Sequence, residues 1–217
     1  NAPMLDGIAE FLLHTPSLNP ASIGEFLSEP KILPLQCCKV FMSKLRFHGK
    51  SITQALGELL SVLQLPKEGQ RIERILEFFA RAYYDSNAGH QGIRDTLLFP
   101  YKNVDSCFVV IVATVMLNTD LHNPRVSSKM TLKSFSSQLR GCNDNGNFPD
   151  GFGEGIFESI SRKQLSNVKG IGAAGVESQG HSSHSAAPEG RMDLLFFSRD
   201  ERKELMFGIE RQRIMTE

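Results

Sequence analysis

Short polar side chains at the end of one strongly apolar segment are the first residues in this sequence that could bind a partner. The segment 107–117 contains eleven residues with one hydroxyl group and no charge. Five polar residues follow it: Asn118, Thr119, Asp120, His122 and Asn123. Amides and carboxylates at such a position can hydrogen-bond the backbone of another protein. The alternative is the ordinary polar end of a core helix, and composition alone favours that alternative.

The apolar segment itself predicts a helix that is buried on nearly all sides. Eleven apolar residues are too many for an ordinary strand, and they are too few to span a bilayer. Pro124 would end the helix, because proline lacks the amide hydrogen and restricts the residue before it. We therefore expect one central core helix that brings the polar residues 118–123, here named the polar tip, to the surface.

Helical spacing recurs along the rest of the chain, and no convincing run of alternating residues indicates a strand. Asn19 before Pro20 is typical of a helix start, and Ser51 with Gln54 forms a capping-box pattern. The fold class is therefore predicted to be all-α. Besides the central helix, we expect helices at 4–14, 20–29, 33–45, 52–63, 70–86, from 131, and 152–163.

Composition gives no indication of a nucleic-acid or membrane-surface protein. The 217 residues contain 24 basic and 24 acidic side chains, so the formal net charge is zero and any electrostatic function must be local. The four cysteines lack the spacing of a metal site, and two of them are adjacent in sequence, which is unfavourable for an ordinary disulfide. We interpret all four as reduced thiols of a cytosolic protein.

Three segments are predicted from the distribution of apolar residues. Residues 1–163 should form one domain, since about 160 residues suffice for a self-sufficient core. Residues 164–191 are rich in Gly, Ser, Ala and His and are predicted to be a flexible linker. Residues 192–217 recover helical spacing and would begin a following helical region. Because the chain starts at Asn and stops within this helical pattern, we expect it to be part of a longer protein.

Several ungapped motifs, in order, resemble one known family. The sequence M-L-N-T-D-L-H-N-P at 116–124 matches the second motif of the Sec7 (Sec-seven) domain letter for letter. The first motif of that family, approximately F-R-L-P-G-E-A-Q-K-I-D-R, corresponds to L-Q-L-P-K-E-G-Q-R-I-E-R at 63–74. Further matches lie at 23–27, 129–131 and 140–144. Over residues 6–163 the chain thus resembles the exchange domain that acts on the small GTPases called Arf.

The resemblance implies an elongated bundle of about ten helices with a hydrophobic groove that binds the switch regions of Arf. Glu68 would be the catalytic residue, a glutamate finger that competes with the β-phosphate and Mg²⁺ for the P-loop lysine of the GTPase. Asn118 and Asn123 would hydrogen-bond the switch backbone. The residues carried over to the partner-binding groove are Asp105, Phe108, Val112, Met116, Asn118, Asp120, Asn123 and Met130.

The same resemblance implies the partners and the place of action. The expected partner is an Arf-family GTPase, and the chain would need no metal or cofactor, because Mg²⁺ and GDP or GTP belong to the GTPase. No nucleic acid is expected, and the oligomeric state is not predicted. The sequence at 199–211 resembles the charged helix of the large Golgi-type exchange factors. We therefore expect a cytoplasmic protein that is recruited peripherally, through other domains, to Golgi or endosomal membranes.

Three other interpretations compete with this one. Lys67 replaces the glycine that the family motif has before the glutamate, and Gly69 follows it, which favours an exchange-weak or inactive scaffold that still binds Arf or a trafficking partner. A metal-dependent hydrolase has only His181 and His184 in its support, without nearby carboxylate or cysteine ligands. An α-solenoid would need an internal repeat, and the sequence contains none that we can recognise.

Overall fold

The computed structural model of the chain describes residues 2–89 and 97–165. These residues contain α-helices and no strand, since the only ladder pairing among them is an isolated bridge between Asn143 and Gly146. The all-α prediction is therefore confirmed. The eight helices are α1 (Ala2–His14), α2 (Pro20–Leu27), α3 (Ile32–Lys44), α4 (Ile52–Val62), α5 (Gly69–Asn87), α6 (Val104–His122), α7 (Leu132–Gln138) and α8 (Phe152–Arg162).

The predicted helices agree with these bounds to within two or three residues, and side-chain caps mark the starts of α2, α4, α6 and α7. The Asn19 side chain accepts a hydrogen bond from the Ala21 amide at 2.9 Å. Ser51 and Gln54 form both bonds of the capping box. About ten helices were implied for the whole bundle, and eight lie in the described residues. The predicted linker and the C-terminal helix at 192–217 lie outside the described residues.

The central helix is α6, as the apolar segment predicts. It begins at Val104, where the Asn103 side chain accepts a hydrogen bond from the Ser106 amide at 2.8 Å. Every residue from Ser106 to Val115 is buried. Helices α4, α5, α7 and α8 all pack against it. The helix is 19 residues long and is thus long and apolar enough to cross a membrane, but 72% of its most apolar window is buried inside the domain. This burial, and not its length, identifies α6 as a core helix.

An aromatic cluster fixes the connection between α5 and α6. The Tyr83 ring, near the end of α5, lies 6.0 Å from the Tyr101 ring, just before α6, and 5.9 Å from the Phe99 ring. The Tyr84 hydroxyl donates to the Lys102 carbonyl oxygen at 3.0 Å. The Tyr83–Tyr101 pair is edge-to-face, and aromatic contacts of this kind stabilise the packing beyond the area that they bury. The end of α5 is thereby held beside the start of α6.

All four cysteines are free, as predicted. Cys37, Cys38 and Cys107 are buried in the core. Burial, with a smaller contribution from the neighbouring Cys37, raises the pKa of Cys38 to about 12. The thiol form therefore persists at neutral pH, and these side chains act as small apolar groups of the core.

Candidate functional site

The loop at 63–68 joins α4 to α5 and exposes Glu68 at its end. Leu63 and Leu65 anchor the loop, with 0% and 3% of their surface exposed. Glu68 is the N-cap residue of α5, and its carbonyl oxygen accepts hydrogen bonds from the Arg71 and Ile72 amides at 3.0 Å. Its side chain makes no capping hydrogen bond and is 74% exposed. The loop therefore has a buried start and an end that presents a carboxylate to solvent.

Helix α2 supports this loop by two backbone contacts. The Gln64 amide donates to the Pro20 carbonyl oxygen at 2.9 Å. Gly24 packs so closely against the loop that a Cβ at this position would lie 1.9 Å from the Gln64 carbonyl oxygen. Only glycine permits this approach, since every other residue would force the loop away. Gly24 thus sets the distance between α2 and the 63–68 loop.

Two arginines on α5 complete the contact with α2. The Arg74 guanidinium donates to the Ser28 carbonyl oxygen at 2.5 Å. The Arg71 guanidinium pairs through Nη1 with the Glu25 carboxylate and through Nε with the Glu68 carboxylate, the latter at 3.2 Å. Sequence reasoning missed these roles of Gly24, Glu25 and the arginines. The one signal that could have indicated them is the motif match at 23–27, which contains Gly24 and Glu25.

The polar tip accepts three hydrogen bonds from the segment before α7. The Asp120 carboxylate accepts from the Met130 amide at 2.5 Å. The Lys129 ammonium donates to the Asp120 carbonyl oxygen at 2.8 Å and also to the Asn123 carbonyl oxygen. The Asn123 side-chain oxygen accepts from the Arg125 amide at 2.9 Å, and Asn123 remains half-buried. The structure thus brings Asp120, Asn123 and Met130, three residues of the predicted groove, close together.

Asn118 is the most buried residue of the polar tip and lies inside the domain. Only 2% of its surface is exposed. Its side-chain oxygen accepts from the Leu165 amide at 2.8 Å, and its amide nitrogen lies 3.5 Å from the Leu165 carbonyl oxygen. Asn118 therefore binds the backbone of its own chain after α8. In the free domain it is not placed to hydrogen-bond the backbone of a partner, and the role that the resemblance implied for it would require this anchor to open.

This position of Asn118 predicts a loss of stability on substitution. Asn118→Ala would leave the Leu165 amide without its acceptor, so we expect the free energy of unfolding to fall by about 1–2 kcal/mol. Urea unfolding followed by circular dichroism measures this change. Asn123→Ala is the matched amide deletion at a less buried position and should cost less than half as much. Equal losses for the two variants would contradict the anchoring role.

The predicted groove stripe on α6 is only partly open in the free chain. Asp105 is exposed and Met116 is half-buried. Phe108 and Val112 are 8% and 3% exposed and belong to the core. The three apolar residues recur at every fourth position and share one face of the helix. At most the two ends of this stripe, Asp105 and Met116, are accessible to a partner in this conformation.

Glu68 and the polar tip lie at the two ends of the α5–α6 pair that the connecting segment does not join. Tyr83 near the end of α5 lies close enough to Cys107 near the start of α6 for the thiol to contribute to raising the pKa of Tyr83, after the larger effect of burial. Both helices have 19 residues. Since the connected ends are held together, the start of α5 and the end of α6 are the two far ends of the pair.

In the described residues, no group of three or more His, Cys, Asp or Glu side chains could hold a metal ion. The candidate site thus contains the Glu68 carboxylate, the Asn123 amide and some apolar surface. Such groups are suited to binding another protein. A model of one protein family, the Sec7 domain, matches residues 3–165. The chain belongs to the Sec7 domain family. The match spans every described residue except Ala2 and includes both motifs on which the resemblance rests.

Named relatives of this Sec7 chain are longer proteins of different sizes. It is 32% identical over 158 residues to the ADP-ribosylation factor guanine nucleotide-exchange factor sec71 of Schizosaccharomyces pombe, an alignment that covers 73% of this chain and 8% of that protein. It is 35% identical over 153 residues to human cytohesin-2, with 70% of this chain and 36% of that protein covered. The chain therefore spans a minor part of these relatives.

Solved structures of Sec7 domains have the same fold. The Sec7p catalytic domain superposes with a TM-score of 0.66 at 31% sequence identity, over 74% of this chain and 79% of that one. A Sec7 domain in a complex with ARF1-GDP and brefeldin A gives a TM-score of 0.65 at 34% identity, over 74% of this chain and 76% of that one. Both similarities extend over most of each chain.

Glu77 on α5, which lies near the Glu73 carboxylate, makes the stability of this Sec7 domain depend on pH. Burial raises the pKa of Glu77, and the nearby Glu73 carboxylate raises it further, while Arg74 opposes the shift. A carboxyl with a raised pKa in the folded state stabilises the fold at low pH, and that contribution is lost as the pH rises through the raised pKa. At neutral pH the ionised Glu77 therefore costs stability.

We accordingly expect Glu77→Gln to raise the free energy of unfolding at pH 7 by about 0.3 kcal/mol, the size of an unfavourable like-charge pair one helical turn apart. The gain should disappear near pH 4, which lies below both the raised pKa of Glu77 in the folded chain and the ordinary glutamate pKa of about 4.3 in the unfolded chain. Urea unfolding at the two pH values tests this expectation. A gain that is as large at pH 4 as at pH 7 would show that charge is not its cause.

Proposed function

We propose that this chain is a guanine-nucleotide exchange factor that promotes GDP release from Arf-family small GTPases by a glutamate finger, and that it acts in vesicle trafficking. The observation that carries the proposal is the Glu68 carboxylate, 74% exposed, at the end of a loop whose start is buried. Family membership supports the same assignment. Among the relatives described above, sec71 is an exchange factor of ADP-ribosylation factors by its name, and one Sec7 domain is seen with ARF1-GDP.

The proposed chemistry needs no covalent step. A small GTPase holds GDP through backbone donors, a P-loop lysine and Mg²⁺. The Glu68 carboxylate, pushed into this site, would repel the β-phosphate and bind the lysine in its place. The exchange factor thereby lowers the barrier to GDP release by stabilising the empty GTPase. Mg²⁺ and the nucleotides are ligands of the GTPase, and this chain supplies only the competing anion.

The partner would be bound by the surface beside Glu68. Asn123 is half-buried at the polar tip, and we assign its side-chain amide to the switch backbone of the GTPase. Met116 and Met130, both half-buried and packed against the core, would provide the apolar contact. Asp105, exposed on α6, would lie at the rim. Phe108 and Val112 would line the floor of the groove once the partner opens the groove. Asp120 would belong to the groove as the residue that positions Met130.

The proposal also covers the branch of the family and the membrane at which the protein acts. We place the chain in the large Golgi-type branch on the resemblance at 199–211, which lies outside the described residues. Recruitment to Golgi or endosomal membranes would then depend on other domains.

Binding to the empty GTPase tests the proposal directly. A catalyst of nucleotide release must bind the nucleotide-free state more tightly than the GDP-bound state, since that difference is what displaces GDP. We expect gel filtration to show a stable complex with an Arf GTPase stripped of Mg²⁺ and nucleotide, and added GDP with Mg²⁺ should dissociate it. A complex that is equally stable with and without GDP would support a scaffold, the alternative that Lys67 favours.

A further inference from the structure

The Glu68 carboxylate is paired with Arg71 in the free domain, and Arg71 is itself held by a second carboxylate. The Arg71 guanidinium contacts Glu68 through Nε at 3.2 Å and Glu25 on α2 through Nη1. The three side chains form a chain that begins on α2 and ends at the exposed carboxylate. Arg71 is the least exposed of the three, with 24% of its side chain accessible, against 52% for Glu25 and 74% for Glu68.

The chemistry of arginine makes this arrangement directional. The guanidinium is planar, and its five N–H groups point in fixed directions within that plane. The contact of Nη1 with Glu25 restricts where the guanidinium group can lie, and Nε then lies 3.2 Å from the Glu68 carboxylate. Helix α2, which carries Glu25, is joined to the 63–68 loop through Pro20 and Gly24. The ion pair of Arg71 with Glu68 is therefore connected, through Glu25, to the same helix that supports the loop.

Without Arg71 the Glu68 side chain would be unconstrained. It makes no hydrogen bond to the start of its own helix, and a free Glu side chain populates many rotamers. The neighbouring Lys67 is exposed, so its ammonium could bind the carboxylate in unproductive orientations. Arg71 disfavours both possibilities by pairing with the carboxylate while Glu25 on α2 holds the guanidinium group.

We propose that Arg71, held by Glu25, is a positioning residue that orients the Glu68 carboxylate for nucleotide release. This inference rests on the proposed exchange function. The pair is solvent-exposed and therefore weak, so a partner's lysine in a dry cleft can take the carboxylate from it. When Glu68 leaves, Arg71 keeps Glu25 as its counter-ion. No uncompensated cation remains beside the departing finger, which is the advantage of two carboxylates on one guanidinium.

The test combines two variants in a double-mutant cycle with GDP release from an Arf GTPase as the readout. Arg71→Gln should lower the maximal rate about fivefold, the upper limit for an exposed ion pair, with little change in the GTPase concentration that gives half the maximal rate. Glu68→Asp shortens the finger by one methylene and moves it away from Arg71. In the Glu68→Asp chain, Arg71→Gln should therefore change the rate less than about twofold.

Two further variants separate positioning from general stability. Arg71→Lys keeps the charge but lacks the planar fork, and its rate should lie between those of the wild type and Arg71→Gln. Arg162→Gln removes an ion pair of the same kind, the 2.7 Å contact with Glu158 on α8, and should leave the rate unchanged. In the free chain, Glu68→Gln should shift the NMR signal of the Arg71 Nε–H group, a readout that does not depend on activity.

The possible outcomes separate the inference from the function on which it rests. If the wild-type chain does not accelerate release from any Arf GTPase, the proposed function fails, and with it a role for Arg71 in exchange. If the wild type is active but Arg71→Gln lowers the rate equally in both backgrounds, the exchange function stands and the positioning role is overturned. An unchanged Arg71 signal in Glu68→Gln would also overturn it.

Discussion

A chain that carries Glu68→Gln is expected to accelerate GDP release from an Arf GTPase about a hundredfold less than the wild type, the scale of a lost electrostatic contact at a reacting centre. Gln has almost the shape of Glu but no charge, so it can neither repel the β-phosphate nor neutralise the P-loop lysine. The fold should be unaffected, because the Glu68 side chain is 74% exposed and makes no capping bond.

The measurement is the release of a fluorescent GDP analogue in a stopped-flow instrument, together with the affinity for the GTPase. Binding through Asn123 and the two methionines should persist, so the variant should still form a complex with the GTPase. Glu154→Gln, an exposed acid in the first turn of α8, is the control and should retain the wild-type rate. Glu68→Lys should be inactive as well. Wild-type activity in Glu68→Gln would exclude the finger mechanism.

Gly24→Ala should damage both stability and exchange, although Gly24 lies on α2 and does not belong to the 63–68 loop. The new Cβ would lie 1.9 Å from the Gln64 carbonyl oxygen and 3.1 Å from its carbon, so the loop must move. Overpacking of this kind costs about 1–3 kcal/mol of stability. A displacement of the loop also moves Glu68, and a misplacement of about 1 Å at a catalytic group can cost up to about a hundredfold in rate.

A second glycine in a helix provides the matched control for this prediction. A Cβ at Gly155 on α8 would meet no neighbouring atom within 4 Å, so Gly155→Ala should raise the free energy of unfolding by about 0.5–1 kcal/mol and leave exchange unchanged. Thermal unfolding and GDP release are measured on both variants. If Gly24→Ala is as stable and as active as the wild type, α2 does not set the position of the loop.

Local sequence signals predict the helices well because helical spacing, and at four of the helices a capping side chain, involve residues close together in sequence. The Ser51–Gln54 capping box and the Asn19 cap join residues two or three positions apart. The central helix is also predictable, because a continuous apolar segment can be satisfied only inside a core. The eight described helices and their order are therefore readable from residue types and short spacings.

The support of Glu68 could not be predicted in this way, because it depends on contacts between residues far apart in sequence. Arg71 and Glu25 are separated by 46 positions, and so are Arg74 and Ser28. No periodicity connects such pairs. The anchoring of Asn118 is hidden from the sequence for the same reason, since its partner Leu165 lies 47 positions away and the motif alone gives Asn118 the same role as Asn123.

The most direct test of the central claim is the rate of GDP release from an N-terminally truncated Arf GTPase at fixed Mg²⁺, measured with increasing concentrations of the wild-type chain. We predict that the observed rate rises with concentration to many times the spontaneous rate and then saturates. If the rate stays at its spontaneous value with every Arf GTPase tested, although the chain binds one of them, the exchange function is contradicted. That result would support the alternative, a scaffold that binds Arf without catalysing exchange.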